Sequence, residues 1–266
     1  TNDYLAPISV ASLNAGKHVL CEKPLGRNSS ESRQIADSAK AAEKIVKTGN
    51  PVRNEVVQIE GKRDAAFDHF NLNKNKKTVL IIGGSLGART LNESLKKDVQ
   101  QLLDNDTQVI WQCGKGYVEN LRLFVDELNH PNIYLSDFVY EMDLAYAAAD
   151  VIVSRAGAMS VSEVCLVGKP VILVPSPNVS EDHQTKNAMA LVNENAAVLV
   201  KDIEAKEILV PSINNLLEDV SRCESLSKNI LKLGIADAPD RILKEIEKIC
   251  KKTNIYPKFL FNTLKW

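Results

Sequence analysis

The sequence predicts an α/β protein built around a parallel β-sheet. Three observations carry that prediction: apolar runs of strand length, helical runs between them, and two glycine-rich turns that join one to the other. The turns are Gly83-Gly84-Ser85-Leu86-Gly87-Ala88-Arg89 and Arg155-Ala156-Gly157-Ala158-Met159-Ser160-Val161-Ser162-Glu163. A strand, a glycine turn and a helix start make a place where a phosphate or a sugar nucleotide can sit. Two of them in one sheet, with a carboxylate at the second, suggest a nucleotide-sugar site.

The elements follow in order. Ala6–Ala15 has helical spacing and ends at Gly16, a C-terminal cap. His18–Glu22 reads as a short strand stopped by Pro24 and Gly26, and Ser29-Ser30-Glu31 starts a helix running to about Lys44. Pro51 and the polar stretch Asn71–Lys77 bracket a short helix at about Gly61–Phe70. From Thr78 the rhythm is regular. Strands are expected at Thr78–Ile82, Gln108–Gln112, Ile133–Leu135, Val151–Ser154, Val171–Val174 and Ala197–Val200. Helices fit between them near Ala88–Leu103, Val118–Leu128, Asp143–Ala149, Val161–Leu166 and Asp182–Asn193. This alternation implies βαβ units with right-handed crossovers. Ala205–Lys252 is helical only, in two or three segments. The tail after Lys252 interleaves Tyr256, Phe259, Phe261 and Trp266 with Lys258 and Lys265, which suits a membrane interface or an unstructured end without function.

At 266 residues the chain can hold one large domain or two ordinary ones. Its 44% apolar and 25% charged residues are ordinary for a water-exposed α/β protein. A net charge of −1 argues against bulk attraction to nucleic acid or anionic lipid. Cys21, Cys113, Cys165, Cys223 and Cys250 are scattered and form no CxxC, which reads as reduced thiols in the cytosol. No apolar stretch approaches the roughly 20 residues of a membrane span. The opening Thr1-Asn2-Asp3-Tyr4 has neither an initiator methionine nor targeting character, and reads like the middle of something.

At the first turn, two glycines permit positive φ and close approach of a ligand, and Ser85 can cap the helix or donate to a phosphate. The spacing is not GxGxxG, and an ordinary tight turn without a ligand is equally compatible. At the second turn, Ser160 or Ser162 can cap the helix and Glu163 falls in its first turn. Glu163 then complements the helix dipole, closes a capping box, or accepts from the two hydroxyls of a ribose. After the strand at Pro170–Val174 comes Asp182-His183-Gln184-Thr185-Lys186-Asn187-Ala188, at the strand end where open α/β sheets bind ligands. Gln184 and Asn187 share a helical face; His183 is a surface residue or a base. Thr48-Gly49-Asn50-Pro51-Val52-Arg53 is a rigid turn whose Arg suits a diphosphate.

Together TGNPVR (Thr48–Arg53), GGSLGARTLN (Gly83–Asn92), RAGAMSVSE (Arg155–Glu163) and DHQTKNA (Asp182–Ala188) resemble, in order and spacing over roughly Ile45–Lys252, the carboxy-terminal half of the MurG family. Those are N-acetylglucosaminyltransferases that convert lipid I to lipid II in peptidoglycan synthesis. The resemblance implies a GT-B glycosyltransferase whose carboxy-terminal Rossmann-like domain holds UDP-N-acetylglucosamine. It implies that Arg53 and Ser85 face the diphosphate and that Val139 lies against uracil. Ala158, Met159, Ser160, Val161 and Ser162 would wrap the nucleotide, Glu163 would hold the ribose, and Gln184 would bond the transferred sugar. Leu86 stands where many relatives carry Gln. No cofactor or metal is implied, no nucleic acid, and the base would lie in the family's other half. The implied acceptor is undecaprenyl-pyrophosphoryl-MurNAc-pentapeptide, at the inner face of the plasma membrane from the cytoplasm.

Residues 1–44 are similar instead to Gfo/Idh/MocA oxidoreductases, through the helix ending Ala15-Gly16-Lys17 and through Glu22-Lys23-Pro24. In those enzymes the lysine lies beside nicotinamide; here an exposed loop lysine is the plainer reading of Lys23. The expected organisation is a short αβα fragment at 1–44, a UDP-sugar domain at 45–252 and a tail at 253–266. With the acceptor half unmatched, the chain is expected to be a crippled transferase or a non-catalytic UDP-sugar-binding fragment, a fusion or pseudogene product. An NAD(P)-dependent oxidoreductase remnant is the remaining alternative.

Overall fold

The computed structural model describes residues 5–17, 19, 29–43, 46–84, 86–179 and 182–253. The chain divides into two compact units, one of Asn50–Ala236 and one of Thr1–Gly49 with Asp237–Trp266. In the latter, α1 (Leu5–Asn14) and α2 (Ser29–Ala41) pack through Ala6, Leu13 and Ile35. The second helix stops three residues short of expectation, and Glu43 beyond it takes a left-handed φ of 52°. Apart from Val19, which is not in a strand, the expected strand His18–Glu22 lies outside the described residues, as does Lys23.

The larger unit is the parallel-sheet protein that the alternation implied. In chain order it contains α3 (Asn54–Val57), α4 (Arg63–Phe70), β1 (Thr78–Ile82), α5 (Arg89–Asp104), β2 (Gln108–Gln112) and α6 (Val118–Leu128). There follow β3 (Ile133–Ser136), α7 (Met142–Ala148), β4 (Val151–Ser154), α8 (Ala158–Val167) and β5 (Val171–Leu173). Then come α9 (His183–Val192), β6 (Val198–Leu199), a 3-10 turn at Asp202–Glu204, α10 (Ala205–Glu218) and α11 (Val220–Leu231). A final helix, α12 (Ala238–Thr253), belongs to the other unit.

All strand pairs are parallel, and the order is β3-β2-β1-β4-β5-β6. Chain order runs outward in both directions from β1 and β4, so the reversal falls between those two neighbours. Open α/β sheets bind ligands at that reversal, beyond the carboxyl ends of the strands. Both glycine turns leave from there.

Period-two alternation builds the core. Leu80, Ile110, Ile152 and Leu173 face one layer with Phe67, Tyr146, Val164 and Leu191 from α4, α7, α8 and α9. Val79, Ile81, Trp111, Val153 and Ile172 face the other, against Leu91, Leu95 and Leu102 of α5 and Leu209 and Ile213 of α10. Covered on both faces, these strands read as unbroken apolar runs rather than as alternating ones. Each such side chain contributes roughly 1.5–3 kcal/mol by leaving water. Asn92, a polar group in the core, is paired: it accepts from the Trp111 indole N–H at 2.9 Å and donates to the Cys113 carbonyl at 2.9 Å. Burial pushes the Cys113 and Cys165 thiols up to about 11, which keeps them protonated and unreactive.

Candidate functional site

Among the described residues, no side chain caps the two helices that follow the glycine turns, α5 and α8, and both begin with open donors. Their N-cap residues are Ala88 and Gly157; neither makes a side-chain capping bond, and neither first turn holds an acidic residue. Free N–H groups and the positive dipole ends therefore stand side by side above β1 and β4, a setting for a polyanion. Ser85 lies outside the described residues.

Helix α8 starts at Ala158, three residues before the expected Val161, because Gly157 itself, at φ −66° and ψ 150°, serves as the extended N-cap. This corrects two expectations. Neither Ser160 nor Ser162 caps the helix: the Ser162 hydroxyl donates back to the Ala158 carbonyl at 2.9 Å. Glu163 falls in the second turn, which rules out the capping box. Its Oε2 accepts from the buried Tyr146 hydroxyl at 2.9 Å. Burial pushes the Glu163 carboxyl above its ordinary range, while the Tyr146 hydrogen bond and the Arg53 charge pull it back. Tyr146 itself is raised well above the usual phenol value by burial and then by Glu163.

Asn50, of the turn motif and at the start of the larger unit, is tied to α8: its Nδ2 donates to the Ser162 hydroxyl at 2.8 Å and the Ala158 carbonyl at 3.3 Å. Arg53, exposed, caps α3, a single turn that the sequence had not suggested. Ala158 and Met159 are exposed, while Ser160 and Val161 are half-buried. Val139 is only 4% exposed, its side chain in the core, between the exposed rings of Phe138 and Tyr140. No described residue hydrogen-bonds its backbone N–H or carbonyl. Leu86 is 87% exposed on the first turn.

Each turn is gripped by amide side chains. Gln184 Oε1 accepts from the backbone N–H groups of Ala156, at 3.2 Å, and Ser176, at 2.9 Å, and Asn187 donates to the Ala156 carbonyl at 3.0 Å. Gln184 and Asn187 thus share a face, and among the described residues nothing accepts from Gln184 Nε2. The counterpart at the first turn is Gln112, which sequence reasoning passed over as a strand residue. Its Oε1 accepts from Gly84 N–H at 2.9 Å, and its Nε2 donates to the carbonyls of Gly84 at 2.9 Å and Asp137 at 2.8 Å. Arg155 is engaged within the protein. It donates to the Val174 carbonyl at 3.0 Å, tying the end of β4 to that of β5, and pairs with Asp202 in the 3-10 turn after β6. No group of three potential metal ligands occurs among the described residues.

Tyr146→Phe removes the hydrogen bond that favours the ionised Glu163 and leaves burial opposed by Arg53 alone. Its carboxyl then titrates higher still, as a carboxyl-carbon NMR titration would register. A carboxyl raised on folding favours the native state at low pH, and that contribution is lost as pH rises through the raised value. The variant widens that window upward.

Residues 78–242 match the profile described as the glycosyltransferase family 28 C-terminal domain, more than half of the chain. The chain belongs to glycosyltransferase family 28. Residues 4–50 match the oxidoreductase family with the NAD-binding Rossmann fold, a short resemblance to the Gfo/Idh/MocA group. Over 207 residues the chain is 48% identical to the UDP-N-acetylglucosamine–N-acetylmuramyl-(pentapeptide) pyrophosphoryl-undecaprenol N-acetylglucosamine transferase of Flavobacterium psychrophilum, covering 78% of this chain and 56% of that protein. The enzyme of the same name from Parabacteroides distasonis is 48% identical over 211 residues, covering 79% and 57%. The family 28 chain therefore spans little more than half the length of these relatives. The crystal structure of Acinetobacter baumannii MurG superposes with a TM-score of 0.69 at 25% identity, over 91% of this chain and 70% of that one.

Proposed function

We propose that the family 28 domain binds UDP-N-acetylglucosamine across the β1–β4 reversal and delivers its sugar to an undecaprenyl-pyrophosphoryl-MurNAc-pentapeptide acceptor. One observation carries the reading: the two glycine turns leave adjacent strands at the switch of strand order, each opening a helix that no described side chain caps. The activity for which the relatives are named supports the choice of sugar nucleotide and acceptor.

In this reading the diphosphate lies over the first turns of α5 and α8, with Arg53 beside it and Ser85 on the turn. Ala158 to Ser162 surround the nucleotide, and Glu163, its Oε2 held by Tyr146, turns its remaining lone pairs to the ribose hydroxyls. The uracil edge meets the unpaired backbone of Val139 rather than its buried side chain. Gln184, with its oxygen committed, serves the sugar through its Nε2 donors. Transfer breaks the anomeric C–O bond to the diphosphate as the acceptor hydroxyl oxygen attacks, its proton passing to a base that the family's other half would supply. The negative charge gathering on UDP meets the Arg53 guanidinium and the helix N–H groups, already oriented before the reaction.

The proposed domain holding this site runs over 45–252, with a Gfo/Idh/MocA-like fragment before it and a tail after it. The work is done in the cytoplasm, with peripheral contact at the inner face of the membrane. Among the described residues no helix is long and apolar enough to cross a membrane.

Calorimetric titration with UDP-N-acetylglucosamine tests the donor site. Glu163→Ala should weaken binding roughly 10- to 100-fold, as loss of hydrogen bonds to a charged acceptor does. Wild type that folds and does not bind would overturn the reading. Transfer to a lipid I analogue tests the rest: binding without turnover confines the chain to donor recognition.

A further inference from the structure

The geometry points to Gln112 as the positioning residue that locks the diphosphate turn and the base-facing loop into one unit, so that each half of the donor is held in register with the other. The inference rests on the donor site proposed above. Gln112 ends β2, between the glycine turn after β1 and the loop after β3. Its side chain reaches both. It closes a two-way pair with Gly84, taking the N–H on Oε1 and giving Nε2–H to the carbonyl, and it gives the second Nε2–H to Asp137.

The valence count matters here. A primary amide has two donor hydrogens, and both are spent. Gln112 therefore has no hydrogen to offer a ligand and acts through the backbone alone. What it fixes is specific. Gly84 sits at φ +78° with open space around the Cβ position, and within the turn its carbonyl also accepts from Gly87 N–H at 2.9 Å. Next to Asp137 come Phe138 and Val139, the latter carrying the unpaired backbone groups assigned to uracil. The Asp137 carbonyl also accepts from Gly114 N–H at 3.2 Å, so the loop keeps one tether without Gln112. Gly83 N–H likewise bonds the Gln112 backbone carbonyl at 3.0 Å, which a side-chain substitution leaves in place. The strand pairing survives such a change, and the register between the two loops does not.

Uridine engages the base loop and the ribose carboxylate, whereas UDP must satisfy the base loop and the diphosphate turn together. Their affinity ratio therefore reads the register directly. We would measure both by competition against a fluorescent UDP, in the full chain and in Gln112→Met and Gln112→Glu. Glu is nearly isosteric and still accepts from Gly84 N–H, but it cannot donate to either carbonyl. In both variants the preference for UDP over uridine should fall about tenfold, in the range of measured couplings between contacting groups. Melting temperature, read alongside, separates this from general loosening, which lowers stability without changing the ratio. A ratio within twofold of wild type in a folded variant overturns the inference. So does loss of the fold in both variants, which would make Gln112 a core residue. Failure of the wild type to bind UDP is the distinct result that removes the donor reading itself.

Discussion

Gly114→Ala is expected to destabilise the larger unit by more than about 3 kcal/mol, as the shift of its denaturant midpoint would show. Two costs add. Gly114 sits at φ +90°, where an L-residue pays roughly 1–2 kcal/mol. Its Cβ would also overlap the Cα and N of Gly87, which are backbone atoms and cannot swing aside. The relation is mutual: a Cβ on Gly87, at φ +78°, would overlap the Cys113 carbonyl and crowd the Tyr117 ring. The turns after β1 and β2 touch backbone to backbone, and only paired glycines allow it. Against a total stability of roughly 5–15 kcal/mol, such a loss empties much of the native state. Gly116→Ala, two residues away with nothing within 4 Å of its Cβ, is the matched control and should leave the midpoint unchanged. Gly84→Ala lies between, since it has the positive φ without the overlap.

That contact shows where sequence reasoning reached and where it stopped. The six strands were legible because β-branched and aliphatic runs such as Thr78–Ile82 leave little choice between solvent and core. Turn chemistry located the two glycine motifs, and with them the reversal at which we propose the site. What no linear pattern reveals is the partner of a side chain far along the chain. Gln112 and Gly84 are 28 residues apart, and Tyr146 and Glu163 are 17. Gln112 looks like the polar end of a strand, and Gly114 like an incidental loop glycine. Nor does the sequence show that Arg155, just after β4, pairs with Asp202, 47 residues on in the 3-10 turn beyond β6. The start of α8 was misjudged for a local reason. Serines were the obvious caps, but an extended glycine begins a helix without them and leaves its N–H groups open.

Gly157→Ala should separate fold from function in the opposite sense to Gly114→Ala. At φ −66° and ψ 150° the backbone suits any residue, and the nearest atom to an added Cβ is the Ser160 hydroxyl at 3.8 Å. Alanine gains roughly 0.4–1 kcal/mol from a less free unfolded chain and loses a comparable amount as a poorer N-cap than glycine. The melting temperature should therefore stay within a few degrees of wild type. Among the described residues nothing crowds a Cβ at Gly157, so in the proposed site the methyl group would meet the ligand rather than the protein. A methyl group would stand at the open end of α8, between the first-turn N–H groups and a nucleotide drawn to them. Affinity for UDP-N-acetylglucosamine should then fall by about tenfold or more, the equivalent of roughly 1.4 kcal/mol. A stable variant with undiminished affinity would show that the nucleotide does not approach Gly157 and would move the site off the β4 turn. Stability held and affinity lost would mean that this glycine is there for the ligand, whereas Gly87 and Gly114 are there for the fold.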